Sequence, residues 1–103
     1  MFATVRRYEG IDASKKDELT KKVGESLAPR LSKLPGFSGY FLIDTGDGVM
    51  SSIGIFDTST QANESTKVAS EWVRDEKLES ILSPPKVTDG EVIVHKLNGS
   101  VKA

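Results

Sequence analysis

Apolar residues along this chain follow two different spacings, and the two alternate. Runs at 2–8, 37–43, 49–56 and 87–97 are rich in β-branched and aromatic residues, a composition typical of strands. Two longer stretches between them repeat apolar residues every three or four positions, which indicates amphipathic helices. The resulting order β-α-β-β-α-β predicts an α+β fold, with a four-stranded antiparallel sheet and both helices on one face.

Both helical stretches carry signals of interruption. The apolar stripe of the first runs through Leu19, Val23, Leu27, Leu31 and Leu34. Pro29 lies inside this stripe, and because proline has no amide hydrogen and crowds the preceding turn, we expect a kink or a restart near Ala28. The second stretch begins near Ser59. Its stripe breaks before Leu78, where Asp75 is predicted to cap a short further segment.

Glycine-containing segments separate the strands from their neighbours. The segment Leu34-Pro35-Gly36 ends the first helical stretch directly before a strand. The segment Asp44-Thr45-Gly46-Asp47-Gly48 separates two strands, and its glycines and aspartates tolerate positive φ, as hairpin turns require. A calcium loop is the alternative interpretation, but the spacing lacks the remaining oxygen ligands.

The predicted sheet has a second face that the helices leave open. Six large apolar residues are assigned to that face: Phe2, Tyr40, Leu42, Met50, Phe56 and Ile93. A small domain gains stability from covering so much apolar surface. We therefore expect a homodimer formed through the sheet face.

Composition narrows the possible functions. The 103 residues predict one domain at 1–97 followed by a frayed tail at 98–103. Lys+Arg total 14 and Asp+Glu total 15, a balance that argues against nucleic-acid binding, which needs a positive field. The chain has no cysteine, which excludes disulfides and thiolate sites. No signal peptide and no apolar run of ~20 residues is apparent, so we expect no membrane span and a cytoplasmic location.

Three short motifs are similar to those of a known family: Leu34-Pro35-Gly36-Phe37-x-Gly39-Tyr40, Phe56-Asp57-x-x-x-x-Ala62 and Gly90-Glu91-Val92-x-Val94. Together they resemble the antibiotic biosynthesis monooxygenase-like group of the dimeric α/β-barrel superfamily, and the resemblance covers Met1 to Lys96. It implies a ferredoxin-like protomer that dimerises as an α/β barrel. Active relatives include cofactor-independent oxygenases of polycyclic phenols and haem-degrading enzymes.

Two positions depart from the pattern of the active relatives. Those relatives commonly carry a Trp at the end of the third strand, where this chain has Phe56. The haem-degrading branch carries a His on the following helix, where this chain has Thr66 near the matching place. We therefore expect no cofactor and no metal.

Six residues are candidates for a site between the sheet and the second helix. His95 and Tyr40 are the candidates for catalysis; Arg6, Asn63, Trp72 and Ser52 are the candidates for substrate binding. His95 is the only histidine, the residue type that suits proton transfer near neutrality, and Arg and Tyr side chains suit a phenolate or carboxylate. Each also has a structural interpretation. His95 can lie at a sheet edge or interface, Trp72 can lie in the core with its indole N–H bonded to backbone, and the strand residues can form a dimer interface.

Two classes of function remain open. The first is a small protein that binds a hydrophobic small molecule or acts as an assembly module. The alternative is a cofactor-independent monooxygenase of aromatic or polyketide-like substrates. An RNA-recognition domain also has this order of elements, but its central strands need basic residues, and the run 49–56 has no Lys or Arg. An enclosed pocket with converging polar groups is the feature that separates an enzyme from an assembly module.

Overall fold

The computed structural model describes residues 1–96. Its elements are β1 (Phe2–Tyr8), a 3₁₀ turn (Ala13–Lys15), α1 (Lys16–Lys22), a π-helical segment (Val23–Leu27), α2 (Ala28–Ser32), β2 (Phe37–Gly46), β3 (Val49–Phe56), α3 (Ser59–Asp75) and β4 (Lys86–Glu91). The four strands form one sheet in the order β2-β3-β1-β4, and every neighbouring pair is antiparallel. The predicted α+β class is confirmed, and the fold is ferredoxin-like.

The first helical region, residues 16–32, is continuous but changes its hydrogen bonding before the proline. The Ala28 N–H donates to the Val23 carbonyl, five residues back, and α2 begins at Ala28 with Pro29 in its first turn. Because Pro29 has no amide hydrogen, the Glu25 carbonyl has no donor four residues ahead, and a π-type turn absorbs this mismatch. The restart predicted near Ala28 is confirmed.

The hairpin and α3 follow the chemistry expected from their sequences. Asp47 and Gly48 both have positive φ (56° and 76°), which is the geometry of a two-residue hairpin turn. The helix α3 begins with a capping box, in which the Thr58 hydroxyl accepts from the Gln61 N–H and the Gln61 side chain accepts from the Thr58 N–H. No helix among residues 1–96 is both long and apolar enough to cross a membrane.

The segment from Glu76 to Pro85 joins α3 to β4. Lys77, with φ of 57°, ends the helix, and the predicted further capped segment forms turns rather than a helix. Leu78 and Leu82 nonetheless lie in the hydrophobic core. This segment therefore packs across the interior although it has no regular secondary structure.

The predicted membership of the open sheet face is wrong. Met50 and Phe56 are buried under the helices, and Tyr40 and Leu42 pack against the same core. Phe2 is paired directly with Phe56 and shares its face. The open face carries instead the other set of side chains. Its apolar members on β1, β2 and β3 are Ala3, Val5, Phe41, Ile43, Val49, Ile53 and Ile55. A period of two shows that a strand has two faces, but the pairing register decides which one meets the helices.

The last strand, predicted within 87–97 and expected to include His95, ends earlier in the structure. β4 ends at Glu91, and Ile93 lies beyond it with 86% of its surface exposed. The Val92 N–H donates to the Met1 carbonyl, and this bond closes the regular pairing with β1. Leu97 and the predicted tail at 98–103 lie outside the described residues.

Candidate functional site

A small cavity lies between the sheet and the helical regions. Its lining is apolar except for two phenol groups and one indole: Tyr8, Leu19, Val23, Leu27, Tyr40, Leu42, Met50, Trp72, Val73 and Leu82. The cavity volume, counted as the space that the centre of a water molecule can reach, is ≈ 20 Å³. This is about enough for one water molecule. Side chains therefore fill most of the interior.

A larger groove begins where this cavity ends. It lies between α3 and the segment 76–85, and its volume by the same measure is ≈ 250 Å³. Tyr8, Val73 and Leu82 line both spaces. These three side chains are thus the wall between the interior cavity and the open groove.

Arg6 is the unusual residue of this region. It lies on β1 with its side chain under α3, and only 1% of its surface is exposed. One guanidinium nitrogen, Nη1, donates to the Thr66 hydroxyl at 3.3 Å, and Nε is buried without a hydrogen-bond partner. Within residues 1–96, no carboxylate forms an ion pair with Arg6. A buried cation without a counter-charge is costly, so its presence calls for an explanation.

The neighbours of Arg6 are polar but neutral. Ser52 is the residue opposite Arg6 on β3, and its hydroxyl is buried without a partner. Gly54 lies between Thr4 and Tyr40 in the sheet, and the side chains of Phe56 and Thr4 occupy the space that its Cβ would need. The region therefore combines one charge with two buried polar atoms that have no hydrogen-bond partner.

The two tyrosine hydroxyls lie close enough to the guanidinium to feel its charge. Burial raises the pKa of both Tyr8 and Tyr40 above the ordinary value of 10.0, and the positive charge of Arg6 offsets part of this rise. Both phenols therefore stay protonated at neutral pH. They can donate hydrogen bonds to a ligand, and neither one neutralises Arg6.

Trp72 lies in the core, which was the structural alternative to a role in substrate binding. Its exposed fraction is 1%, and its indole N–H donates to the Ser26 hydroxyl at 2.9 Å, not to backbone. The ring also lines the cavity. The second helical region is thus fixed to the first by a hydrogen bond between side chains.

Phe37 is half-buried and meets Phe56 edge to face, with ring centroids 5.7 Å apart.

The six sequence-predicted residues divide into two groups. Arg6, Tyr40, Ser52 and Trp72 lie on the helix-facing side of the sheet or against it. Asn63 is exposed on α3, and His95 is exposed beyond the end of β4. Neither of these two lines the cavity. The structure gives His95 no strand position, because β4 ends four residues before it.

Sequence reasoning missed Tyr8 and Thr66 as parts of this region. Tyr8 lies two residues after Arg6 on one strand, and residues at that spacing share a face, so this signal was present in the sequence. Thr66 contacts Arg6 from α3, and only the packing of α3 on β1 reveals this contact.

The cavity lining holds no His, so it does not fit haem by the histidine route of the haem-degrading relatives. Among residues 1–96, no cluster of three or more His, Asp or Glu side chains is arranged for a metal ion.

Comparison with solved structures places this fold among known ones. A Nitrosomonas europaea protein of unknown function superimposes with a TM-score of 0.74 at 18% identity, over 93% of this chain and 92% of the other. A Streptomyces coelicolor monooxygenase, solved in complex with the ligand nanaomycin D, superimposes with a TM-score of 0.70 at 18% identity, over 93% and 90%. A dimeric ferredoxin-like protein from an uncultured marine organism gives 0.64 at 15% identity, over 94% and 99%.

These likenesses confirm the family resemblance at the level of the fold. The chain shares its ferredoxin-like fold over about nine tenths of its length with these structures and with a putative antibiotic biosynthesis monooxygenase from Nitrosomonas europaea. The sequence itself matches no protein-family model and no curated protein. At identities below one fifth, the likeness carries the fold and leaves the activity to be argued from the site.

Proposed function

We propose that this protein is a homodimer that binds a hydrophobic small molecule between its sheet and its helices. The observation that carries the proposal is the apolar cavity, with two phenols at its edge, that adjoins the groove of ≈ 250 Å³ beside α3. Apolar lining with a few placed polar groups is the usual composition of a small-molecule site.

Entry of a ligand requires a change at the wall between the two spaces. The interior space of ≈ 20 Å³ is too small for any organic molecule. Leu82, which forms part of the wall, belongs to the irregular segment 76–85, and a backbone bond from its N–H to the Leu78 carbonyl holds it in place. A shift of this segment would join cavity and groove without disturbing the sheet.

The proposed dimer forms through the open sheet face. Phe41 is 51% exposed and Ile43 is 41% exposed on that face, next to the β3 side chains Ile53 and Ile55. An apolar patch of this kind on one chain marks an interaction surface. The dimeric ferredoxin-like neighbour supports a second copy as the occupant. The interface is expected to bury more than about 1,000 Å² in total.

Energy transfer from tryptophan tests the ligand-binding proposal. Trp72 is the single tryptophan and lines the cavity, so it is the donor for a neutral aromatic probe, N-phenyl-1-naphthylamine. We expect saturable transfer in the wild type and weaker binding in Val73→Phe, which enlarges a side chain of the shared wall. Val94→Phe, the same change at an exposed position beyond β4, is the matched control and should leave binding unchanged. An absence of transfer, or transfer that Val73→Phe does not alter, would argue for a filled assembly module.

The second candidate function is a cofactor-independent monooxygenase. It is supported by the fold shared with the Streptomyces coelicolor monooxygenase and by the protonated phenol of Tyr40 beside Arg6. Tyr40 would orient a carbonyl or phenolic oxygen of the substrate. Oxygen consumption with anthrone-like substrates tests it. Tyr40→Phe should lower the rate and His95→Ala should not, since His95 is exposed beyond β4. If the wild type shows no turnover, ligand binding remains as the only proposed function.

A further inference from the structure

The buried charge of Arg6 has no compensation within the described chain. Arginine side chains carry a positive charge in folded proteins. The contacts that Arg6 does make are to neutral groups, and Nε makes none. A second orphan, the Ser52 hydroxyl, lies directly across the strand pair. Two buried polar atoms without partners at one place are an exception in native proteins.

No described residue packed around Arg6 supplies the missing negative charge. From β1 and β2 the facing groups are Thr4, Tyr8 and Tyr40, from β3 Ser52, and from α3 Thr66. On β4 the residue paired with Arg6 is Val87, and the exposed Asp89 on the same face forms no ion pair with the guanidinium. The hydroxyl groups of serine and threonine do not ionise near neutrality, and the two phenols are held protonated by burial. The site is thus a fixed positive charge surrounded by neutral hydroxyl groups, which accept from the guanidinium and can donate to an anion.

We propose that Arg6, with Tyr8, Tyr40 and Ser52, binds the carboxylate of an organic acid whose apolar part occupies the cavity. This inference rests on the proposed binding function and deepens it by naming the class of ligand. Tyr8 and Tyr40 line the cavity and also lie beside the guanidinium, so they connect the apolar space to the charge. A ligand with an apolar body and one acidic end matches this arrangement.

A carboxylate fits the site better than other anions. It carries one negative charge, which balances the single positive charge of Arg6. It is planar and offers two oxygens to the fork of the guanidinium. It is already ionised at neutral pH, so binding requires no loss of a proton within the site. A phosphate ester would bring a second negative charge that no described residue near Arg6 can balance.

Calorimetric titration with two isosteric probes tests the inference. The probes are 2-naphthoate and 2-naphthamide, which share the aromatic body and differ in charge. We expect the wild type to bind 2-naphthoate at least about tenfold more tightly, as a charge-assisted hydrogen bond implies. The comparison requires no variant, so it decides the question even if a substitution at Arg6 prevents folding.

Two arginine substitutions localise the preference. Arg6→Met removes the buried charge and should abolish the preference for 2-naphthoate while 2-naphthamide binding is retained. Arg7→Met is the matched control, because Arg7 is the next residue, faces the opposite side and pairs with Glu9 at 2.7 Å. It should keep the full preference. Without ligand, the Tm of Arg6→Met should equal or exceed that of the wild type, since an uncompensated buried charge is removed.

The outcomes separate this inference from the proposed function. Equal affinity for the two probes, or a preference that survives in Arg6→Met, would overturn the carboxylate site and leave hydrophobic binding intact. Binding of neither probe would count against both. A lower Tm for Arg6→Met with unchanged 2-naphthoate affinity would show that Arg6 is structural only, which also overturns the inference.

Discussion

Arg6, Tyr8 and Tyr40 bring a buried charge and two perturbed phenols together at one place in the described chain. A charged side chain is fully buried, and the two phenols beside it are shifted toward their neutral forms. Perturbed titratable groups of this kind occur more often at functional sites than elsewhere. The signal comes from the environment and not from the residue types, since arginine and tyrosine are common on strands.

The tyrosines allow a direct test of that environment. Tyr8 and Tyr40 are the only tyrosines in the sequence, so tyrosinate absorbance at 295 nm reports on them alone. We expect both to titrate above pH 10 in the folded protein because burial raises each pKa. In Tyr40→Phe, one of the two titration steps should disappear. Titration of both groups at or below pH 10 in the native protein would contradict their burial.

The same shift makes stability depend on alkaline pH. Each folded-state pKa lies above the unfolded value of about 10, so folding favours the protonated phenol. The stability that each phenol contributes is complete below pH 10 and is lost as the pH rises through its folded-state pKa. Tyr40→Phe should therefore lose less stability between pH 9 and pH 11 than the wild type does, as urea unfolding will measure.

Gly36 offers a test of backbone geometry at one residue. Its φ is +76°, and a Cβ at this position would collide with the Gln61 side chain of the capping box. Gly36→Ala is expected to lower the free energy of unfolding by about 1–3 kcal/mol. Gly24→Ala is the matched control, because its Cβ would meet nothing within 4 Å in a helical segment. It should raise stability by about 0.5–1 kcal/mol in urea unfolding. Equal effects of the two substitutions would refute the assigned geometry.

At the scale of elements, the start of α3 depends on a local signal. The Thr58 hydroxyl satisfies the Gln61 N–H, which otherwise has no partner within the helix. Thr58→Ala is expected to cost about 1 kcal/mol in thermal or urea unfolding. Thr60→Ala makes the same chemical change at an exposed position inside the helix and should be neutral or slightly stabilising. A neutral Thr58→Ala would mean that packing alone fixes the helix start.

The first helical region shows how an element accommodates an unfavourable residue. Pro29 is exposed, so it has no packing role that would explain its position in the stripe. The region keeps Leu27 and Leu31 buried on either side of the proline because the π-type turn shifts the hydrogen bonding by one residue. Apolar burial on both sides outweighs the one lost backbone bond.

At the scale of the whole molecule, the open sheet face leads to a prediction about assembly. Phe41 is paired directly with Ile53, and both lie on that face. Phe41→Lys introduces a charge into the proposed interface and should convert the dimer to monomer at micromolar concentration, as measured by light scattering. Asn63→Lys is the control, since Asn63 is exposed on α3, away from the sheet. It should leave the mass unchanged. A wild-type mass of one chain would refute the dimer.

Local signals in the sequence determined the elements and their order. The first three strand runs, the proline in the first stripe and the Asp-Gly hairpin turn are short-range features, and the structure has each of them where the sequence placed it. The motifs from Leu34 to Tyr40 also indicated the fold family, and the solved structures agree. The sequence did not determine where β4 ends, because Val92, Ile93 and Val94 have strand-forming side chains but no strand to pair with beyond Glu91.

Only the tertiary structure decided which face of each strand meets the helices. A bulge between Phe37 and Gly39 shifts the register, so Phe37 and Tyr40 both face inward although an unbroken strand would place them on opposite faces. The burial of Arg6 likewise depends on α3, which covers β1 from a distance of about sixty positions in the sequence. Local spacing cannot encode such contacts, because burial is a property of the partners that pack on a residue. The candidate site is made of these contacts, and so it became visible only in the folded chain.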